Sequence, residues 1–257
     1  MKILAIGDLV GENGTQKLIE NLKNIQEAEK IDITIVNAEN AAGGSGLSTA
    51  LYTKLARQNI DVLTMGNHTW GKKDIFSIMN DSEILIRPAN YSREVPGVGY
   101  RVFEKNGKKI LVVNLIGRVG MAEQSNSPFE CIDDILKTVE HDVAIIDFHA
   151  EATAEKRAMA YYVDGRVNVL FGTHTHVQTA DEEIFENGLG FITDLGMTGP
   201  KNSVIGMNVE ASLKRFTTSI PERYKLADGE CKLNSVVFEL DDKTLKCKKI
   251  YRKKKKK

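Results

Sequence analysis

Ile3-Leu4-Ala5-Ile6-Gly7-Asp8 is an apolar run that stops at a carboxylate. Unbroken apolar runs of this length mark strands covered on both faces. Ile33-Thr34-Ile35-Val36-Asn37-Ala38-Glu39-Asn40 follows the same pattern, ending in an acid and an amide. Three further runs end in histidine. Residues 61–65 lead into Gly66-Asn67-His68, residues 143–146 into Asp147-Phe148-His149, and residues 167–171 into Gly172-Thr173-His174-Thr175-His176. Four of the five histidines therefore sit where strands stop. Polar groups gathered at the carboxyl ends of several strands are how an α/β fold assembles a site.

The segments between these runs set the architecture. Leu18, Ile19, Leu22 and Ile25 share one face of an amphipathic helix expected over 14–29. The glycine loop 41–46 leads to a helix capped by Ser48 or Thr49. A further helix is expected to begin near Lys73, before a short strand at 83–86. Linkers this short imply parallel βαβ units with right-handed crossovers. Asn106-Gly107, between apolar residues 100–104 and 109–114, signals a hairpin. Helices at 127–140 and 152–162 alternate with strands at 142–148 and 166–171, and strands dominate after residue 183. Two mixed β-sheets packed face to face, with helices outside, account for this order. Residues 197–230, rich in Gly, Pro and Ser, read as an insertion or an oligomer contact. One domain is expected over 1–251, followed by a basic tail over 252–257.

The chain of 257 residues is 42% apolar and 27% charged, which is ordinary for a globular protein. No apolar stretch approaches a membrane span, and the first run is too short for a signal peptide's core. A cytoplasmic protein is expected. Cys131, Cys231 and Cys247 are odd in number and widely spaced, so neither a disulfide framework nor a zinc ribbon is expected. Ten of the 35 Lys and Arg fall in residues 243–257, which hold no acid, leaving residues 1–242 at a net charge of −10. The basic end could make a weak RNA contact, although a solvated terminus is the more ordinary explanation.

Asp8 and Glu39 offer hard anionic oxygen, Asn67 an amide oxygen, and His149, His174 and His176 imidazole nitrogen. A mixed N/O set suits Mn, Fe, Zn or Co better than Ca or Mg. If residues 174–176 are extended, both imidazoles point the same way. Two cations held close together favour phosphate-ester hydrolysis. His68, beside Asn67, is the candidate general acid for the leaving oxygen. His141, at a helix end, is expected on the surface. Gly43-Gly44-Ser45-Gly46 lacks the lysine and spacing of a P-loop and reads as a turn over the site. Arg118 either grips a phosphate or is a surface arginine.

In order and type, Gly7-Asp8, Asn37-Ala38-Glu39-Asn40, Gly66-Asn67-His68-Thr69-Trp70, Asp147-Phe148-His149-Ala150-Glu151 and Gly172-Thr173-His174-Thr175-His176 resemble the calcineurin-like metallophosphoesterases. More narrowly they resemble the bacterial YmdB-type branch, as do residues 193–200. Val10 replaces the histidine of the wider superfamily's Asp-x-His, a departure this branch shares; Gly71 stands where branch members carry Asp. The resemblance implies one metal on Asp8, Glu39, Asn40 and His176 and another on Glu39, Asn67, His149 and His174. Glu39 would bridge them, and His68 would donate the proton. It also implies iron or manganese, a homo-oligomer, and hydrolysis of a 2′,3′-cyclic nucleotide to the 3′-monophosphate. A phosphomonoesterase or nuclease on the same metals, or a metal-bearing regulatory or RNA-associated protein, are the alternatives.

Overall fold

The computed structural model describes residues 1–223 and 225–253. Its strands are β1 (Lys2–Ile6), β2 (Asp8–Leu9), β3 (Ile33–Asn37), β4 (Val62–Thr64), β5 (Leu85–Ile86), β6 (Tyr100–Lys105), β7 (Lys108–Ile116), β8 (Val143–His149), β9 (Val169–Thr173), β10 (Glu183–Ile184), β11 (Gly190–Ile192), β12 (Met197–Pro200), β13 (Cys231–Lys232), β14 (Ser235–Leu240) and β15 (Cys247–Lys253). The α-helices are α1 (Gly11–Glu29), α2 (Thr49–Ala56), α3 (Pro128–Thr138), α4 (Thr153–Val163) and α5 (Val209–Thr218). No helix among them is long and apolar enough to cross a membrane.

Two six-stranded sheets form the frame, in the orders β15-β14-β1-β3-β4-β5 and β10-β11-β9-β8-β7-β6. Strands β1, β3, β4 and β5 run parallel, with β14 antiparallel to β1. In the second sheet β7, β8, β9 and β11 run parallel, and β6 and β10 flank them antiparallel. The period of two along each strand sorts the core into three layers. Ile3, Ala5, Ile33, Ile35 and Val62 meet Ile110, Val112, Ile145, Val169 and Phe171 between the sheets. Their alternates Leu4, Ile6, Val36 and Leu63 pack on Leu18, Leu22, Leu51 and Leu55 of α1 and α2. Leu111, Val113, Ala144, Ile146 and Leu170 pack on Ile132, Ile135, Met159 and Val163 of α3 and α4. Each Val, Leu, Ile, Phe or Met among them contributes about 1.5–3 kcal/mol when fully buried. The arrangement is the face-to-face sandwich that the sequence implies.

Continuing the same alternation toward the carboxyl ends, the inner layer changes character. Asn37, Thr64, Asn114, Asp147 and Thr173 take the next inward positions and are all fully buried. The apolar core thus ends in a polar floor, and the loops beyond it carry the histidines.

Several local expectations need correction. The helix expected at Lys73 is a short 3₁₀ segment, Lys73–Ser77. Of the two cap candidates, the Ser48 hydroxyl accepts from the Leu51 amide. Residues 197–230 hold β12 and α5, and β12 pairs parallel with β2 in a three-stranded sheet with β13. Arg252 and Lys253 are not tail residues. Arg252 and Lys253 belong to β15, bound to Glu182 and Glu29 respectively, and residues 254–257 lie outside the described residues.

Candidate metal centre

The parallel strands deliver the predicted residues to one place. Asp8 opens β2 just after β1, Glu39 and Asn40 follow β3, Asn67 and His68 follow β4, His149 ends β8, and His174 and His176 follow β9. Gly66 has no alternative there: a Cβ on it would lie 2.4 Å from both Glu39 Oε2 and His149 Cδ2.

Four atoms converge on one side. His149 Nε2 lies 3.0 Å from His174 Nδ1, 3.2 Å from Glu39 Oε1 and 2.8 Å from Asn67 Oδ1. The outer nitrogens of both rings face acceptors: His149 Nδ1 is 2.9 Å from Thr173 Oγ1, and His174 Nε2 is 3.1 Å from Glu151 Oε2. With those nitrogens donating, two lone pairs face each other, and only a shared proton or a cation satisfies both. Metal–nitrogen bonds of about 2.1 Å put neighbouring ligand atoms about 3.0–3.4 Å apart, so the residues fit a transition-metal ion. Glu39, His149 and His174 present ligand atoms within 4.8 Å of one another.

The other side gathers Asp8, Asn40 and His176. Asn40 Nδ2 is 3.1 Å from His176 Nε2, 3.4 Å from Asp8 Oδ1 and 3.0 Å from Glu39 Oε1. Its Oδ1 lies 2.8 Å from His68 Nδ1. Asn40 here offers its amide nitrogen to three acceptors, and a ligand role for its oxygen requires the amide to turn over. His176 Nδ1 is held by the Ile205 carbonyl at 2.8 Å, so the loop after β12 supports this half.

The charged groups of the site act on one another. Burial alone would raise Glu39, but His149 and His68 hold its carboxyl well below the usual range. Asp8 is raised by burial. For His149, burial would lower the value, but Glu39 outweighs it and pushes the ring up to about 9. Burial and the neighbouring His149 push His174 down to about 3. A hydrogen bond to Glu39 raises His68.

One reading from sequence changes. Residues 174–176 are not extended: His174 has φ 106° and His176 φ 64°, so the rings reach the two halves from a turn. His68 lies in the turn after β4 and contacts Asn40 and Glu39. Sequence reasoning also overlooked the supports. Lys156 and Asp194 form a fully buried ion pair at 2.8 Å. Lys156 Nζ also donates to the Thr173 carbonyl, and Asp194 accepts the amides of Thr175 and Gly196. Positive φ at a residue with a Cβ costs about 1–2 kcal/mol, and these bonds tie down the chain on both sides of His174. Asp147 is a second unexpected buried acid, pushed up to about 6 by burial. Both acids were legible as charges inside apolar runs. Arg118 offers its backbone amide to Glu155.

The sequence model of the YmdB-like protein family matches residues 4–253. A Bacillus subtilis protein named 2′,3′-cyclic-nucleotide 2′-phosphodiesterase is 44% identical over 98% of this chain and 96% of its own. Among solved structures, a phosphatase from Mycoplasma pneumoniae superposes with a TM-score of 0.93 at 37% identity, covering 98% of this chain and 92% of its own. A Thermus thermophilus protein of unstated activity gives the same TM-score at 35% identity, with 98% of each chain covered. The sandwich is the calcineurin-like metallophosphoesterase fold, which implies divalent metal ions, and the chain belongs to the YmdB-like family.

Proposed function

We propose that the protein is a dimetal phosphodiesterase that opens 2′,3′-cyclic nucleotides to 3′-monophosphates. The convergence of His149 Nε2, His174 Nδ1, Glu39 Oε1 and Asn67 Oδ1 carries this reading. The name of the Bacillus subtilis relative supports the substrate class.

Glu39, Asn67, His149 and His174 would hold one ion, and Asp8, Glu39, Asn40 and His176 the other; the family resemblance implies iron or manganese, and zinc competes for the same N/O donors. Bound there, the ions would polarise the phosphoryl oxygens and make water a better nucleophile. His68 contributes the proton. Its Nδ1 faces Asn40 and Glu39, which leaves Nε2 to donate to the departing ribose oxygen as water adds to phosphorus and the P–O2′ bond breaks. The products are a 3′-phosphomonoester and a free 2′-hydroxyl. The five-membered cyclic ester is strained, so a single well-placed acid suffices.

The test is product analysis of 2′,3′-cyclic AMP with manganese-loaded protein, beside Asn67→Ala. The expected result is 3′-AMP from the first and none from the second. No turnover by the loaded wild type would sink the phosphodiesterase reading. The Mycoplasma pneumoniae neighbour is named a phosphatase, which favours one second reading: release of inorganic phosphate from a monoester would establish it. For a role in RNA binding, Arg252 and Lys253 of β15 are already paired with Glu182 and Glu29, and residues 254–257 lie outside the described residues.

A further inference from the structure

The polar floor beneath His149 has a direction. Asn37 Oδ1 accepts the Glu39 amide at 3.1 Å, which turns its Nδ2 toward Asp147 Oδ2 at 3.3 Å. Thr64 donates its hydroxyl to that same oxygen. Thr173 donates its hydroxyl to the other oxygen, Asp147 Oδ1, at 2.7 Å. Having spent its proton there, the Thr173 oxygen can only accept from His149 Nδ1, 2.9 Å away. Asp147, Thr64 and Thr173 come from three different strands and are fully buried, as is His149. Water therefore does not compete for these bonds.

We propose that Asp147 is a positioning residue that, acting through Thr173, fixes the tautomer of His149 with its proton on Nδ1, so that the Nε2 lone pair is available to the metal. This rests on the metal-centre reading above. An imidazole binds a metal through the nitrogen that lacks the proton, and the group facing the other nitrogen decides which that is. His174 and His176 are held on their outer nitrogens by Glu151 and the Ile205 carbonyl, groups that accept whatever their surroundings do. Thr173 is different, because a hydroxyl both donates and accepts. Its direction is set by what lies behind it, and only an acceptor at Asp147 Oδ1 orients it correctly.

Asp147→Asn is consequently a reversal rather than a deletion. Asn37 and Thr64 both lie closer to Oδ2 than to their other acceptors, the Met65 and Val36 carbonyls, so the amide oxygen takes that place and the amide nitrogen faces Thr173. Thr173 then accepts from Asn and turns its own hydrogen toward His149 Nδ1. The ring proton moves to Nε2, where the metal should be. Size and shape are unchanged throughout. An inverted acceptor behind a histidine is known to impose the wrong tautomer in other sites.

The experiment strips the protein of metal and titrates it with Co²⁺ at mildly alkaline pH. Affinity is read by calorimetry and coordination by the visible spectrum. Wild type, Asp147→Asn, Thr173→Val and Thr173→Ser are compared, each with thermal unfolding of the metal-free form. Expected are two ions in wild type, an affinity weaker by about tenfold to a hundredfold at one of them in Asp147→Asn and Thr173→Val, and recovery in Thr173→Ser. Metal-free unfolding of Asp147→Asn stays at or above wild type. Wild-type affinity and spectrum in either Asp147→Asn or Thr173→Val would overturn the proposal. So would a loss in Thr173→Val that Thr173→Ser shares, because that would report packing. If Asp147→Asn does not fold, Thr173→Val against Thr173→Ser decides whether the hydroxyl between Asp147 and His149 sets the affinity. Wild type that takes up no Co²⁺ would instead remove the metal centre on which the proposal stands.

Discussion

Lys156 and Asp194 meet beneath the histidine turn with both side chains 0% exposed, whereas Lys253 and Glu29 meet at the C-terminal edge with 24% and 23% still exposed. The two pairs are chemically alike and do different work. At the edge, β15 is the outermost strand of its sheet, and Lys248, Lys249, Arg252 and Lys253 line it. Such charges discourage pairing with another chain and are worth little individually. Under the site the pair lies beyond the reach of water, so its desolvation cost is offset only by well-placed hydrogen bonds. Lys156 reaches the Thr173 carbonyl, and Asp194 the amides of Thr175 and Gly196. The buried charges hold a backbone that the histidine side chains would otherwise relax. Burial turns an ion pair from a surface accessory into a determinant of geometry.

The sharpest way to break this comparison is Lys156→Met, which keeps the volume and leaves Asp194 buried without its cation. A loss of about 3–5 kcal/mol in denaturant unfolding is expected, with Asp194→Asn in the same chain restoring most of it. A loss below about 1 kcal/mol would place the buried pair in the surface class.

His68 separates exposure from importance. Its side chain is 39% exposed on the rim of the site, while Glu39 beside it is 1% exposed. His68→Ala should lower kcat by about a hundredfold or more, as loss of a general acid does. Metal content and melting temperature should hold. Unchanged turnover would exclude it as the proton donor. Gly66→Ala tests the opposite case, a residue with no chemistry in a crowded spot beside two ligands. Its Cβ would meet Glu39 Oε2 and His149 Cδ2 at 2.4 Å, so about 1–3 kcal/mol of stability should go, and metal affinity with it. Full metal affinity in Gly66→Ala would show that the strand ends tolerate displacement.

The same contrast separates what could be read in the sequence from what could not. Strand ends were legible because a buried parallel strand is an apolar run, and Asp8, Glu39, His149 and His174 interrupt or end such runs. The inward alternation also marked Asp147, two residues before His149, but its partner Thr173 looks like any strand residue. The turn at 174–176 was misread because φ 106° and φ 64° are unfavourable for histidine and are enforced from Lys156 and Asp194, distant in sequence. The Ile205 carbonyl behind His176 carries no side-chain signal at all. Pairing of β12 with β2 joins Met197 to Asp8 across most of the chain, and local pattern contains no record of it. Arg252 and Lys253 resembled a tail because charge runs usually are solvated, while Glu182 and Glu29, which bind them, lie far upstream.

Glu29→Gln is the smallest effect and the strictest control on the edge region. The Lys253 hydrogen bond, aided by the Tyr251 hydroxyl at 2.7 Å, lowers the Glu29 carboxyl below its usual value of 4.5. A depressed acid contributes stability above its unfolded value and loses it as pH falls through the folded one. Wild type should therefore unfold at slightly higher temperature than Glu29→Gln at neutral pH, by an amount below about 1 kcal/mol because the pair is solvent-screened. The gap should close as the solution is acidified below the carboxylate range, and at high salt, which screens exposed charges. Melting curves of both proteins across pH and salt decide it. A gap that survives acid and salt would mean that the edge pair acts through packing, and the distinction between the two ion pairs would then rest on their partners rather than on water.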